Sequence, residues 1–255
     1  MDLEANAKRR EFLAAAIAAG AGTLVAGSAL GQPANPPATG QAKAEPPKRE
    51  DKKKPDQHEE EEDVSPAEDL MREHGVLKRV LLVYGEVIRR LEAGEDVAPE
   101  PVQDAAGIIR TFIEDYHEKL EEDFLFPRFR KAKMHVDLVD MLTSQHQAGR
   151  RVTDWTIRLA TVSSMRDPHD RPRLIAMLRS FIRMYEPHEA REDTVLFPAL
   201  RKIVSANEYA ALGEDFEKKE HELFGKEGFE KMVDRVAGIE KKLDIYELGK
   251  FTPNV

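Results

Sequence analysis

Apolar residues recur at spacings of three and four along much of the chain, which is the period of an amphipathic helix. Alternating patterns typical of strands are nearly absent. Long helices are predicted at 65–93, 101–126, 136–163 and 172–204, and shorter ones at 206–224 and 229–243. Four long helices with short connections predict an all-α fold: an antiparallel up-down four-helix bundle with short extra C-terminal helices.

Local signals set the predicted helix ends. Ser65-Pro66-Ala67-Glu68 combines a serine cap, a proline in the first turn and a glutamate three residues after the cap. Gly94 favours the end of that helix. Pro127 is predicted to bend or stop the second helix, and Pro187 to kink the fourth. In the third helix we expect five apolar positions: Leu138, Met141, Leu142, Trp155 and Leu159.

The N-terminal part of the chain has a different composition. Residues 1–31 join Lys8-Arg9-Arg10 to an Ala/Gly-rich apolar stretch, which is typical of a secretion signal, and the paired arginines resemble the twin-arginine export signal of bacteria. Residues 32–64 are rich in proline and charge, and are predicted to form a disordered linker that includes His58. The bundle then covers 65–204, and 205–255 form a C-terminal helical extension packed on it.

Composition excludes several classes of function. The formal net charge is −9 with no basic face, so nucleic acid is not an expected partner. The chain has no cysteine, so any metal must be held by nitrogen and oxygen ligands. No apolar run beyond the signal is long enough to cross a membrane, and no membrane partner is expected after signal removal. An exported protein, periplasmic in a bacterium, is the expectation.

One pattern occurs twice in the chain. His117-x-x-x-Glu121 is repeated 71 residues later as His188-x-x-x-Glu192, and both copies are followed by Leu-Phe-Pro. A lone histidine precedes each copy: His74 lies 43 residues before His117, and His146 lies 42 before His188. The chain is therefore a duplicated unit with four imidazoles and two carboxylates.

The duplicated residues favour a metal site. A histidine and a glutamate four residues apart lie on one helix face, and burying two carboxylates without a cation is costly. Nitrogen and carboxylate ligands suit iron or manganese, with zinc as an alternative, and two shared carboxylates favour a dinuclear centre. The other interpretation is a structural bundle whose histidines only pack. Glu114 and His117 also match the Glu-x-x-His spacing of ferritin-like dimetal bundles, but Tyr185 breaks that spacing before His188.

These residues, in this order, resemble the hemerythrin-like family of HHE cation-binding domains over about residues 65–204. The resemblance implies the same antiparallel bundle and a non-haem diiron centre with an oxo or hydroxo bridge. The implied ligands are His74, His117, Glu121, His146, His188 and Glu192. The oxygen-carrying members have a further histidine four residues after the one in the third helix, where this chain has Arg150. His221 is the candidate for that missing nitrogen, the alternative being an exposed histidine on a tail helix.

Other residues near the pattern have less defined roles. Glu118 and Glu189 directly follow the paired histidines and are interpreted as outer partners or solvated side chains, although some family members use the first as a ligand. Three tyrosines are expected either to hydrogen-bond a bound oxygen species or to pack: Tyr84, Tyr116 and Tyr185. No role is assigned to the loop histidines His135 and His169.

The predicted function is that of an exported hemerythrin-like diiron protein that binds or reacts with dioxygen, peroxide or nitric oxide. Catalase- or peroxidase-like turnover is one form of it, since loss of the fifth histidine argues against a pure carrier. The alternatives are a non-catalytic module for iron or oxygen storage or sensing, and a ferritin-like dimetal oxidase. The expected partner is a small diatomic or peroxide ligand, and the sequence leaves the oligomeric state open.

Overall fold

The computed structural model describes residues 64–253, which are helical apart from short connections and contain no strand. The all-α class is thus confirmed. The predicted signal and nearly all of the predicted linker, with His58, lie outside the described residues. Within the described residues, no helix is both long and apolar enough to span a bilayer.

The first helix, α1, spans Pro66–Glu92. Its N-terminus is capped as predicted, because the Ser65 hydroxyl accepts a hydrogen bond from the Glu68 backbone N–H at 3.3 Å. The helix ends at Ala93, and Gly94 follows with a φ of 75°, a left-handed conformation that glycine adopts without strain. One face is almost wholly buried, including Leu70, His74 and Leu77.

The second helical rod contains wide turns that were not predicted. It consists of α2 (Glu100–Ile108), a π-helix π1 (Ile109–His117), α3 (Glu118–Leu120), a second π-helix π2 (Glu121–Leu125) and α4 (Phe126–Ala132). The prediction that the second helix ends at about Phe126, next to Pro127, is wrong, because helical structure continues to Ala132. The wide turn ends with the Phe126 N–H bonded to the Glu121 carbonyl, and Pro127 then stands in the first turn of α4, where its missing N–H is tolerated.

The third and fourth rods follow similar rules. Helix α5 spans Val136–Leu159, short of the predicted Ser163, because Ala160 leaves helical geometry with a ψ of 62°. A short α6 (Val162–Arg166) follows, and α7 covers Asp170–Arg191 without interruption at Pro187. Another wide turn, π3 (Glu192–Leu196), leads into α8 (Phe197–Leu200).

The buried face of α5 differs from the predicted one. Met141 and Trp155 are 57% and 42% exposed, so they are surface residues rather than core positions. Trp155 lies instead beneath the guanidinium groups of Arg158 and Arg173, at 5.4 and 5.3 Å. The buried stripe includes the predicted Leu142 and Leu159, and between these two it consists of small and polar residues; its members are Val139, Leu142, His146, Gly149, Thr153, Thr156 and Leu159. Apolarity alone misplaces this face, because the helix buries a histidine and small residues towards the interior.

Two further helices lie close to their predicted bounds. Helix α9 spans Ala206–Phe224 and α10 spans Gly228–Lys242, followed by a 3₁₀ turn at Leu248–Phe251. Helix α9 packs on the second rod through Phe224, whose ring lies against Phe112 and Tyr116. Helix α10 is tied to α1 by Arg79, whose Nε donates to Glu240 at 2.9 Å. Inside, α1 and α5 both pack against α7, and α1 also contacts α2.

Candidate metal centre

Four buried imidazoles meet in two pairs. His74 comes from α1 and His117 from the end of π1, and their Nε2 atoms lie 3.1 Å apart. His146 comes from α5 and His188 from α7, with their Nε2 atoms 3.2 Å apart. All four side chains are at most 4% exposed. Each lone histidine is thus paired with the His-x-x-x-Glu histidine of its own half of the repeat.

Two glutamates connect the pairs. Glu192 places one oxygen 3.4 Å from His74 Nε2 and the other 3.2 Å from His188 Nε2. Glu121 Oε2 lies 3.5 Å from His146 Nε2 and 3.9 Å from His117 Nε2. Each carboxylate therefore reaches one imidazole of each pair, as a carboxylate shared between two ions would.

The donor atoms are those of a cation site. Both oxygens of Glu121 and both of Glu192 are buried, and no described residue gives any of them a hydrogen bond. Four ligand atoms from Glu121, His146, His188 and Glu192 all lie within 4.8 Å of one another. Buried carboxylates without donors are costly, and a cation among these atoms would remove that cost. The residues present therefore fit a metal centre with nitrogen and oxygen ligands.

Electrostatics in the metal-free chain agree with this interpretation. Burial, helped by the neighbouring Glu192, raises the pKa of Glu121 well above its ordinary value. Burial alone would also raise the pKa of Glu192, but His188 and His74 outweigh it and lower that pKa. The pKa of His74 rises to about 9, because the nearby carboxylates of Asp193 and Glu192 outweigh burial. The raised pKa values of His74 and Glu121 thus favour protons where bound cations would otherwise bring positive charge.

In each of the four clustered imidazoles, Nδ1 is the nitrogen that faces away from the centre, and it lies within hydrogen-bonding distance of an acceptor oxygen. His74 Nδ1 lies 2.7 Å from Asp193, and His117 Nδ1 lies 2.7 Å from Glu73. In the other pair, His146 Nδ1 lies 3.1 Å from an oxygen of Glu122, and His188 Nδ1 lies 2.9 Å from the amide oxygen of Gln145. Since these oxygens accept, Nδ1–H donates and Nε2 is the nitrogen that faces the centre, where it has a lone pair for a cation whenever the ring is neutral.

Sequence reasoning missed these four acceptors, although a signal was present. Each directly adjoins a residue of the repeat: Glu73 precedes His74, Gln145 precedes His146, Glu122 follows Glu121, and Asp193 follows Glu192. Adjacent residues on a helix point about 100° apart, so the residue beside a ligand does not share its face. Each acceptor here serves the imidazole of another helix, which no helix pattern reveals by itself.

Arg150, in place of the further histidine of the oxygen carriers, lies outside the imidazole cluster. Its guanidinium contacts Glu118 at 2.7 Å and Glu122 at 2.8 Å. The Tyr185 hydroxyl donates to the other oxygen of Glu118 at 2.6 Å. Burial raises the pKa of Glu118 to about 8, although Tyr185 and Arg150 act in the opposite direction. The Glu118 carboxyl, held by these contacts, therefore lies beside His146.

Other candidates lie away from the cluster. His221 is half-buried in α9, and no described contact brings its ring to the four imidazoles. Glu114, the candidate of the ferritin-like alternative, accepts from Thr153 at 2.6 Å and pairs with Arg110 at 2.8 Å.

Glu189 is buried with Lys78 3.7 Å away. The remaining tyrosines, Tyr84 and Tyr116, are buried.

Comparisons with known proteins agree with the geometry. The family model of the hemerythrin HHE cation-binding domain matches residues 65–161 and again 137–251. The first match contains His74 to Glu121 and the second His146 to Glu192, and the two overlap over residues 137–161, which include His146. No solved structure matches the chain.

The curated relatives share about half of the aligned residues. "Uncharacterized protein Rv1995" of Mycobacterium tuberculosis H37Rv is 51% identical over 197 residues, which cover 77% of this chain and 77% of the relative. "Uncharacterized protein Mb2018" of Mycobacterium bovis matches equally well. With the buried histidine–glutamate cluster and the two family matches, the chain belongs to the hemerythrin HHE cation-binding family.

Proposed function

We propose that the protein is an exported, non-haem diiron protein that binds or reacts with dioxygen, peroxide or nitric oxide. The observation that carries the proposal is the set of four unpartnered oxygens of Glu121 and Glu192 among four imidazole Nε2 atoms. An antiparallel arrangement of the four long rods is part of the proposal.

Two cation positions follow from the pairing of the imidazoles. His74 and His117 would hold one ion, His146 and His188 the other, and the two carboxylates would be shared. Iron or manganese suits nitrogen and carboxylate donors without sulfur, and zinc accepts them too. Iron, when bound, would supply one-electron redox steps and an open position for a small ligand.

Residues beside the cluster favour reaction over reversible carriage. A carrier needs an apolar pocket that keeps protons away from its ligand. Here the Tyr185 hydroxyl, the Glu118 carboxyl and the Arg150 guanidinium form a hydrogen-bonded chain, and a Glu118 oxygen lies within 4.8 Å of a His146 nitrogen. Such groups can hold a peroxide and pass its protons. Disproportionation of two peroxide molecules to one dioxygen and two waters balances without a further reductant.

Peroxide turnover tests the reactive form of the proposal. Hydrogen peroxide is added to iron-loaded protein in an oxygen electrode, with H117A and H188A as controls. Oxygen evolution by the wild type and its loss in both variants are expected. Evolution that persists at the wild-type rate in both variants would contradict it. Absence of turnover, together with a visible spectrum that azide changes, would restrict the function to binding.

Export is proposed from Lys8-Arg9-Arg10 and the Ala/Gly-rich apolar stretch that follows it. Replacing Arg9 and Arg10 by lysine should retain the protein in the cytoplasm of a bacterial host, because twin-arginine export depends on this pair. Fractionation and immunoblotting measure it. Equal periplasmic amounts of both proteins would contradict this route.

A further inference from the structure

The duplicated halves also duplicate the outer contacts of the centre. Aligned on the lone histidines, Lys78 corresponds to Arg150. Lys78 lies 3.7 Å from Glu189 and 3.8 Å from Asp193, the residue that accepts from His74. Arg150 contacts Glu118 and Glu122 in the same way, and Glu122 accepts from His146. Each half thus has one cation bridging two carboxylates, one of which accepts from a lone histidine.

One pair of equivalent positions breaks this balance. Glu73 accepts from His117, whereas the corresponding Gln145 accepts from His188. Glu73 is fully buried. It also stands with Asp69 and Glu220 in a group of buried carboxylates whose oxygens lie within 4.8 Å of one another. In the other half, the place of Asp69 is taken by Met141, which is exposed.

The charge of Glu73 and the neutrality of Gln145 act on the Nε2 atoms of the centre through the rings of His117 and His188. A carboxylate that accepts from an imidazole N–H raises the basicity of the opposite nitrogen, more than a neutral amide does. The negative field of Glu73 also attracts a cation held by His117 more than the Gln145 dipole attracts one held by His188. Both effects act in the same direction.

We propose that the two cation positions are unequal, and that Glu73 makes the His74–His117 position the tighter one, so that it fills first. Glu73 is a positioning residue that acts through the His117 ring. The inference rests on the proposed dinuclear site and deepens it by assigning an order of loading. Partly loaded protein would then carry its ion at the His74–His117 position.

Single-position variants allow the test. Cobalt(II) is titrated without oxygen into chelator-treated protein, and binding is followed by calorimetry and visible absorption. The H188A variant retains the His74–His117 position, and H117A retains the other. E73Q should weaken cobalt binding about 10- to 100-fold in the H188A background and leave it unchanged in the H117A background.

A variant that is expected to bind cobalt more tightly distinguishes the effect of the carboxylate from damage to the fold. Q145E should strengthen binding at the His146–His188 position in the H117A background, which a damaged fold cannot do, and the exchange E73Q/Q145E should reverse the order of loading. An equal effect of E73Q in both backgrounds, or none in either, would overturn the inference. If the two positions of the wild type have equal affinity, this inference is wrong and the proposed function stands. If the wild type binds no cobalt, the proposed function is wrong as well.

Discussion

Glu121 shows at the scale of one residue why this interior needs a cation. Its oxygens are buried without donors, and burial raises the pKa of its carboxyl well above the ordinary value. A proton is therefore favoured on this side chain when no cation is near it. Cation binding must compete with that proton and with the one on His74, whose pKa is raised to about 9.

The E121Q variant separates a ligand from a structural residue. Glutamine matches the size of a protonated glutamate, so the free energy of unfolding of the metal-free protein should change by less than about 1 kcal/mol. Cation binding should fall at least about tenfold, because an amide is a weaker ligand than a carboxylate. E214Q, at an exposed position of α9, is the control and should change neither. Calorimetry with and without cobalt gives both values, and full cobalt affinity in E121Q would contradict the assignment.

Gly149 has a role that the sequence does not reveal. A Cβ added there would collide with the Tyr185 hydroxyl and lie 2.9 Å from its Cζ. G149A should therefore destabilise the protein by about 1–3 kcal/mol and displace the hydroxyl from Glu118. G75A, where a Cβ meets nothing within 4 Å, should be neutral or stabilising. Denaturant unfolding measures this, and recovery of stability in G149A/Y185F would identify the hydroxyl as the cause.

Among single residues, those of the repeat are brought together in the structure. The histidines and glutamates of the repeat lie together because duplication places equivalent residues at one level of equivalent helices. The four acceptors were missed because each one accepts a hydrogen bond from an imidazole on another helix: Glu73, Glu122, Gln145 and Asp193. The pairing of Arg150 with Glu118 and Glu122 could not be predicted, because it depends on how the helices pack.

Helix starts were the most predictable feature at the scale of elements. Ser65 and Ser205 both accept from the backbone N–H three residues later, at 3.3 and 3.2 Å. The wide π turns could not be predicted, because their hydrogen-bond register depends on the interior contacts of the rods. The first of them ends at His117, and the other two begin at Glu121 and Glu192. Wide turns at functional residues are common, since they re-aim side chains.

Loss of the caps should weaken the helices by a predictable amount. S65A and S205A should each lower the free energy of unfolding by about 1 kcal/mol, because a backbone N–H loses its acceptor. S144A, in the middle of α5 and exposed, should have no measurable cost. Urea unfolding compares the three variants, and equal stability of S65A and S144A would contradict the capping role.

At the scale of the whole molecule, cation binding should stabilise the fold. A ligand that binds only the folded protein contributes about 2.7 kcal/mol at a concentration 100 times its Kd. Metal-loaded protein should therefore melt roughly 5–10 °C above chelator-treated protein. In H117A/H188A the chelator should have almost no effect. Differential scanning calorimetry measures both, and a chelator effect of equal size in the double variant would contradict the site.

Cation affinity should also depend on pH. The neighbouring carboxylates raise the pKa of His74 to about 9, and burial raises that of Glu121 well above its ordinary value, so protons compete with cations at both side chains. Bound ions must displace these protons, so cobalt affinity should fall as pH decreases from 8 to 6. Calorimetry in buffers of different ionisation enthalpy counts the released protons. Affinity independent of pH, with no proton release, would contradict the exchange.

We propose that six side chains from four helical rods hold two ions. Metal analysis of purified, iron-loaded protein counts those ions, with H117A and H188A beside the wild type. Two irons per wild-type chain and one or fewer in each variant are predicted. Two irons retained in both variants, or no stoichiometric metal in the wild type, would contradict the account.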